Sequence, residues 1–203
     1  MFTADALRAR FAQPDLVWQP EPLEERFFTD RDPADAAVLV PLVQRPQGLQ
    51  VLLTLRTAHL NDHAGQISFP GGRKEPDDRD LIETALRETH EETGLTRDFV
   101  EVLGCMPVYQ TATNFMVTPV VGLVKTGFEL QPDAFEVEEV FEVPLSFLMD
   151  SQNHQQRTLH TPIGVRTFYA MPYANPHTGK EYFIWGATAA MLRNLYHFLN
   201  SRG

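Results

Sequence analysis

The sequence has one cysteine, fewer basic than acidic residues, and no long apolar run. Cys105 cannot form a disulfide within the chain, which fits a reducing compartment, and its apolar neighbours favour a buried position. With 27 acidic and 17 basic residues the formal net charge is −10, which disfavours nucleic acid and anionic membranes as partners. No stretch approaches the ~20 apolar residues of a membrane span, and the charged N-terminus does not resemble a signal peptide. The sequence therefore predicts a cytoplasmic protein.

The length and apolar content predict one well-packed domain with an N-terminal extension. The chain has 203 residues, of which 43% are hydrophobic. Residues 3–12 have helical spacing, and four prolines follow within 13–34, which predicts an extended arm with Trp18 among its anchors. We therefore divide the chain into an N-terminal helix and Pro-rich arm over 1–34 and a single domain over 35–203.

Hydrophobic periodicity predicts several strands and few helices. A Pro46–Gly48 turn predicts a hairpin between the first two strands, and Gly94 predicts the end of a helix. The predicted strands cover 36–43, 49–55, 100–109, 116–124, 137–143 and 182–185, with a further hairpin over 157–173. The predicted helices cover 80–93, 144–149 and 187–200. This pattern predicts an α+β or layered α/β/α domain, in which the last helix packs against the core or forms a homodimer interface.

The helix over 80–93 carries three glutamates on one face. At ~100° per residue, Glu91 and Glu92 lie about 60° and 40° to either side of Glu88. Like charges one turn apart destabilise a helix, and hard oxygen ligands suit Mg²⁺ or Mn²⁺. Arg87 and Glu83, one turn apart, can pair and so fix the helix. The spacing alone also fits a solvated acidic face.

The segment around these glutamates resembles the Nudix box, G-x5-E-x7-R-E-U-x-E-E-x-G-U, where U is a bulky aliphatic residue. The resemblance rests on Phe69-Pro70-Gly71-Gly72 and on Arg87-Glu88-x-x-Glu91-Glu92-x-Gly94-Leu95. Three positions depart from the family pattern. Asp78 stands at the position of the first family Glu, and eight rather than seven residues separate it from Arg87. Thr89 replaces the aliphatic residue that follows Arg-Glu. The second half of the box, which carries the metal ligands in the family, is intact.

A second motif is similar to the signature L-L-T-x-R-[SA]-x3-R-x3-G-x3-F-P-G-G of coenzyme A pyrophosphatases, a Nudix subfamily that includes bacterial NudL-like proteins. It comprises Leu52-Leu53-Thr54-Leu55-Arg56 and Gly65-x-x-x-Phe69-Pro70-Gly71-Gly72. Thr57 stands for Ser or Ala, and Asn61 stands for the second Arg. The resemblance covers roughly residues 35–200. It implies a Nudix fold, which is an α/β/α sandwich with a mixed central sheet.

The resemblance also implies an activity, a cofactor and site residues. The expected reaction is metal-dependent hydrolysis of the diphosphate of coenzyme A or its derivatives, giving 3′,5′-ADP and 4′-phosphopantetheine. Mg²⁺ or Mn²⁺ is expected on Glu88 and Glu92, with Glu91 bridging or binding through water. The substrate-binding set consists of Arg56, Phe69, Gly71 and Gly72. The catalytic set consists of Arg87, Glu91 and Glu136, with Glu136 as general base and Glu139 as the next candidate for that role.

Three questions stay open at this level. Arg56 could contact a substrate phosphate or pair with an acidic side chain. The substrate could be another small-molecule nucleoside diphosphate derivative, such as NADH, an ADP-sugar or a dinucleotide polyphosphate. A non-catalytic ligand sensor on the same fold is the alternative from outside the enzyme class.

Overall fold

The computed structural model describes residues 2–13, 18–20, 32–59, 65–111, 113–161 and 164–201. In these parts of the chain the helices are α1 (Ala4–Phe11), α2 (Leu81–Thr93), α3 (Leu145–Leu148) and α4 (Gly186–Asn200). The strands are β1 (Ala34–Arg45), β2 (Gly48–Arg56), β3 (Ile67–Ser68), β4 (Gly71–Arg73), β5 (Val100–Cys105), β6 (Tyr109–Gln110), β7 (Phe115–Val124), β8 (Val137–Pro144), β9 (Gln155–Thr161), β10 (Gly164–Ala174) and β11 (Glu181–Trp185).

The larger sheet is mixed and has the order β3-β2-β1-β7-β5, with β4 beside β1, β6 beside β7 and β8 beside β2. β1 and β7 are parallel from Ala34↔Phe115 to Val43↔Val124, and the other described pairings in this sheet are antiparallel. A smaller antiparallel sheet has the order β11-β10-β9. The predicted α+β class with a mixed central sheet is confirmed.

The two faces of β1 border different layers, because successive side chains of a strand point to opposite sides. Ala37 and Leu39 pack with Ala85 and Leu86 of α2. On the other face, the neighbouring β1 side chains belong to the main core, which also includes residues of α1, α3, α4 and the smaller sheet. The central strands are buried on both faces, which explains their near-continuous apolar sequence.

The helix that carries the glutamates begins and ends where its sequence predicts. The side chain of Asp80 accepts a hydrogen bond from the Glu83 N–H at the first turn. Gly94 ends the helix in the left-handed conformation, with φ of 77°. Thr89 fits the buried side of the helix because its hydroxyl donates to the Ala85 carbonyl at 2.6 Å. The box tolerates Thr89 at an aliphatic position for this reason.

Other predicted elements agree with the structure apart from their ends. The first hairpin comprises β1 and β2, and the second comprises β9 and β10, whose turn at 162–163 lies outside the described residues. The strand predicted over 100–109 ends at Cys105, so β6 is a separate short strand. The prediction that Cys105 is buried was wrong, since its side chain is exposed. None of the described helices is long and apolar enough to cross a membrane.

The N-terminal helix packs into the main core. Leu7 is buried there, and Trp18 contacts the ring of Phe198 with 5.6 Å between centroids. Residues 14–17 and 21–31 of the predicted arm lie outside the described residues. The division into a 1–34 extension and a 35–203 domain stays a prediction.

Candidate active site

The three glutamates of α2 have very different environments, although they share one side of the helix. The Glu92 side chain is 4% exposed, that of Glu88 is 19% exposed, and that of Glu91 is 57% exposed. The site is therefore built around two enclosed carboxylates one helical turn apart, with the third at its edge.

Glu92 is held by one charged and one backbone donor. Arg56 Nη1 donates to its Oε1 at 3.0 Å, and the Gly71 N–H donates to its Oε2 at 3.1 Å. Burial raises the pKa of Glu92 to about 7, although Arg56 and the Gly71 N–H act in the opposite direction. The negative charges of Glu136 and Glu88 raise this pKa further. Two further acidic side chains therefore act on Glu92, in opposition to the Arg56 guanidinium that contacts it.

Glu88 lies directly against Gly72. A Cβ atom at position 72 would be 2.4 Å from Glu88 Oε2, so any side chain there would displace the carboxylate. Gly72 in turn pairs with Ala37 on β1, which ties the carboxylate to the central sheet. Burial raises the pKa of Glu88, while the neighbouring Arg87 lowers it. The glycine thus allows a charged oxygen to approach the backbone closely.

Arg87 connects the edge of the site to the loop before α2. Its Nε and Nη2 donate to the two oxygens of Asp78 at 2.8 and 2.9 Å. Its Nη1 lies 2.9 Å from Glu88 Oε1 and 3.0 Å from Glu91 Oε2. The Arg87–Glu83 pair does not form. Among the described residues, Arg87 instead contacts the carboxylates of Asp78, Glu88 and Glu91.

Asp78, which stands at the first acidic position of the box, is almost fully buried. The Arg87 guanidinium holds the pKa of this carboxyl below its usual range, with support from the Glu75 N–H and the Thr84 hydroxyl. The Glu75 N–H donates to Asp78 Oδ2, and the Asp78 N–H donates to the Glu75 carbonyl. Both oxygens of Asp78 reach Arg87 although eight residues separate the two. The altered first half of the box therefore still anchors the arginine.

Arg56 lies between two acidic side chains at the end of β2. Besides Glu92, its Nη2 is 3.7 Å from Glu136 Oε2. In this structure Arg56 therefore pairs with acidic side chains, which is one of the two roles considered for it. The Glu136 side chain is 42% exposed, and its negative charge acts on both Glu88 and Glu92. The structure thus brings Arg56 and Glu136 to the glutamates of the box.

Glu139 points its carboxylate elsewhere. Its Oε1 accepts a hydrogen bond from the Tyr182 hydroxyl at 2.9 Å, and its Oε2 contacts Lys180 Nζ. Burial, with a contribution from Glu139, raises the pKa of Tyr182 to about 12. Of the two candidate general bases, Glu136 is the one that contacts Arg56, whereas Glu139 pairs with Lys180 in the described structure.

The remaining predicted residues serve the turn before the box. Phe69 is 2% exposed and packs in the main core, which anchors the turn to the rest of the domain. Gly71 has φ of 153°, and a Cβ there would be 2.4 Å from the Ala37 carbonyl oxygen. Asn61 lies outside the described residues, whereas His59 is described and has its ring edge-on to Phe135.

The side chains fit a divalent cation in chemistry, although not as a ready-made cluster. Among the residues that the structure describes, no three His, Cys, Asp or Glu side chains are grouped as metal ligands. Arg56 contacts Glu92, and Arg87 contacts Glu88 and Glu91. Glu88 and Glu92 nevertheless supply hard oxygen donors and enclosed negative charge, which are the properties that Mg²⁺ and Mn²⁺ sites require.

Comparison with known proteins identifies the family. A family model described as the NUDIX domain matches residues 33–160. The chain is 39% identical over 160 residues to "Uncharacterized Nudix hydrolase NudL" of Yersinia pestis (strain Pestoides F), with 79% of this chain and 77% of that protein covered. The same values hold for the NudL protein of Yersinia pseudotuberculosis serotype O:1b (strain IP 31758).

Solved structures of the same kind include a Nudix hydrolase from M. smegmatis, RenU. It is 21% identical, the match covers 57% of this chain and 73% of that one, and the TM-score is 0.49. The family model and the sequence relatives carry the assignment: the chain belongs to the Nudix family. It is a Nudix diphosphatase similar to NudL, as the two sequence motifs predict.

Proposed function

We propose that this Nudix hydrolase cleaves the diphosphate bond of coenzyme A or its derivatives and releases 3′,5′-ADP and 4′-phosphopantetheine. The observation that carries the proposal is the contact between Arg56 and Glu92 at 3.0 Å. Arg56 closes the Leu-Leu-Thr-Leu-Arg segment typical of coenzyme A pyrophosphatases, and Glu92 belongs to the Nudix box. The subfamily motif and the catalytic motif therefore contribute to one site.

The proposed cofactor is Mg²⁺ or Mn²⁺, held by Glu88 and Glu92. When bound, the cation neutralises the diphosphate oxygens, orients the phosphorus and lowers the pKa of a bound water. Mg²⁺ commonly uses one or two carboxylates, several waters and the substrate phosphates, so two enclosed glutamates are a suitable protein contribution. Glu91 would join them by turning away from Arg87, since its side chain is exposed.

The protein's own residues supply positioning and proton transfer. Arg56 is proposed to turn from Glu92 to a substrate phosphate, because a guanidinium donates readily to phosphate oxygens. Glu136 is proposed to accept the proton of the attacking water, since its carboxylate is accessible and adjacent to Arg56. Arg87, fixed by Asp78, is proposed to orient Glu88 and Glu91. Gly71 and Gly72 are proposed to let the backbone approach the substrate beside these carboxylates.

A substrate panel tests the proposal directly. The purified chain is incubated with coenzyme A, NADH, ADP-ribose or a dinucleotide polyphosphate, each with Mg²⁺ or Mn²⁺, and the products are identified by chromatography and mass. The expected result is the highest kcat/KM for coenzyme A, with cleavage between the two phosphorus atoms of its diphosphate. A higher kcat/KM for another member of the panel would overturn the substrate assignment. Absence of turnover with every member, together with tight metal-independent binding, would instead support a ligand sensor.

A further inference from the structure

Phe135 is exposed beside the site although it is a large aromatic residue. Its relative exposure is 66%, the highest among the exposed large hydrophobic residues of the described chain. The ring of His59 meets it edge-on, with 4.9 Å between the centroids and 61° between the planes. An edge-on neighbour supports an aromatic ring while leaving a flat face of it open.

A hydrogen bond to α2 and further hydrogen bonds within residues 133–137 hold the turn that carries Phe135. The Asp133 N–H donates to the Glu92 carbonyl at 3.0 Å, so the turn is attached to the backbone of a proposed metal ligand. The Asp133 carbonyl accepts from the N–H groups of Glu136 and Val137, and Asp133 Oδ1 accepts from the Phe135 N–H at 2.9 Å. These contacts determine where the Phe135 backbone lies.

Thr57 holds the same turn from the opposite side. Its hydroxyl donates to the Phe135 carbonyl at 2.8 Å, and its N–H donates to the Glu136 carbonyl at 3.0 Å. The Phe135 backbone is thus bonded through both its N–H and its carbonyl. Exposing an aromatic ring to water is unfavourable, and a backbone fixed in this way presents the ring without freedom to withdraw it.

The backbone of Phe135 lies next to the proposed reacting centre. Phe135 immediately precedes Glu136, and consecutive Cα atoms are about 3.8 Å apart. Glu136 is 3.7 Å from Arg56, which in turn contacts Glu92. A nucleoside diphosphate whose phosphates lie at Arg56 and the glutamates therefore has its nucleoside within reach of this ring.

We propose that Phe135, supported by His59, is a stacking platform for the adenine ring of the substrate. The proposal rests on the proposed function, because it takes an adenine nucleotide as the substrate half. A purine presents a flat π-face to a flat aromatic ring, whereas the pantetheine half is a flexible chain and has no ring to stack. Thr57 is then a positioning residue for the platform.

The test is a binding measurement that does not depend on turnover. Calorimetry in Mg²⁺ compares 3′,5′-ADP with 4′-phosphopantetheine, which lacks a base, for the wild type and for Phe135→Ala. Loss of one base–aromatic stack should raise the Kd for 3′,5′-ADP by about 5- to 150-fold while leaving that for 4′-phosphopantetheine unchanged. Phe135→Tyr should retain the wild-type Kd. Phe183→Ala, which removes an exposed phenylalanine from β11, is the matched control and should leave both values unchanged.

Several outcomes would overturn the platform. They are an unchanged Kd for 3′,5′-ADP in Phe135→Ala, an equal loss for both probes, or no binding of 3′,5′-ADP by the wild type. Failure of the substrate assignment is separable from these outcomes. If the wild type binds 3′,5′-ADP in a Phe135-dependent manner but prefers another adenine dinucleotide over coenzyme A, the platform stands and the substrate assignment falls.

Discussion

Gly71 and Gly72 are adjacent in the chain but border different parts of the molecule. A Cβ at Gly71 would meet the Ala37 carbonyl and the Val38 Cα, which are backbone atoms of β1, and its φ of 153° is rarely adopted by other residues. A Cβ at Gly72 would meet the Glu88 carboxylate, the end of a flexible side chain. One glycine is therefore required by the fold and the other by the site.

Substitution of the two glycines should separate stability from activity. Gly72→Ala should lower kcat/KM for coenzyme A by about 100-fold, because displacing a proposed metal ligand by an ångström is costly to catalysis. Its melting temperature should stay close to that of the wild type. Gly71→Ala should lower the free energy of unfolding by about 1–3 kcal/mol through backbone strain. Urea unfolding and initial-rate kinetics on both variants check this, and a fully active Gly72→Ala enzyme would contradict the placement of Glu88.

Two glutamates near β8 should differ in their effect on catalysis. Glu136→Gln should lower kcat by about 100-fold or more, the usual contribution of a general base, and should remove the corresponding limb of the pH–rate profile. Glu139→Gln makes the same chemical change at a carboxylate that contacts Tyr182 and Lys180, so it should retain kcat. If Glu136→Gln kept the wild-type kcat and pH profile, Glu136 would not be the base.

The sequence could predict part of this site because helical geometry is local. Glu88 and Glu92 are one turn apart in any helix, and their shared face follows from their spacing. The contact of Glu92 with Arg56 joins residues 36 positions apart and depends on how α2 packs against the sheet that contains β2. The Arg87–Glu83 prediction failed for a related reason. Helical spacing places Glu83 one turn from Arg87, but the loop before the helix brings Asp78 into contact with Arg87.

At the scale of elements, the loop between β4 and α2 is joined to the helix by a buried carboxylate. Asp78 is buried and uses both oxygens on Arg87, while the Thr84 hydroxyl on the first turns of α2 also donates to it. The same arginine contacts Glu88 and Glu91. The loop therefore influences the orientation of the glutamates of α2.

Removing the Asp78 charge should destabilise the protein in a pH-dependent way. Asp78→Asn should lower the free energy of unfolding by about 3 kcal/mol at pH 7, because it leaves a partly buried guanidinium without its main partner. The folded-state pKa of Asp78 lies below its ordinary value of 3.8, so this stabilisation is present above that pH and is lost as the pH falls through the folded-state value. Urea unfolding at pH 7 and at pH 3 measures the difference.

The control for this experiment is Asp77→Asn, which removes the same charge from the neighbouring exposed position. It should change the unfolding free energy by less than about 0.5 kcal/mol at either pH. A gap between wild type and Asp78→Asn that is the same at pH 7 and pH 3 would show that the lost stability does not come from the Asp78 charge.

Elements with strong local signals were predicted more closely than those defined by pairing. α2 has a side-chain cap at Asp80 and a left-handed glycine at Gly94, and both are readable from the sequence. β4 has three residues, two of them glycines, and is a strand only because it pairs with Ala36–Val38 of β1. β5 ends at Cys105 rather than at 109 because its ladder with β7 ends there. Such limits depend on the partner strand.

At the scale of the whole molecule, α1 connects distant parts of the chain. Leu7 is 1% exposed in the main core. Arg8 donates to both oxygens of Glu101 on β5, and Arg10 donates to the Phe198 carbonyl near the end of α4. The parallel pairing of β1 with β7 is of the same kind, because it joins segments far apart in sequence. Apolar periodicity predicts that such strands are buried but does not identify their neighbours.

Leu7→Ala tests whether α1 belongs to the same cooperative unit as the domain. The expected loss is about 3 kcal/mol of unfolding free energy, with a single transition, because the substitution creates a cavity in the shared core. Kinetic constants at 20 °C should stay at wild-type values, since the polar contacts described above join α1 to β5 and α4 rather than to the glutamates of α2. Arg8→Ala, at an exposed ion pair, should cost less than about 1 kcal/mol. An unchanged stability for Leu7→Ala would support a separate N-terminal extension.

The enclosed glutamates of α2 are the proposed metal site of a coenzyme A diphosphatase. Its most direct test is the rate of coenzyme A hydrolysis as a function of Mg²⁺ or Mn²⁺ concentration, for the wild type, Glu92→Gln and the exposed-site control Glu138→Gln. Glu92→Gln should lose at least about 100-fold in metal-dependent turnover while keeping its circular dichroism spectrum, and Glu138→Gln should match the wild type. Wild-type turnover and metal dependence in folded Glu92→Gln would contradict the account.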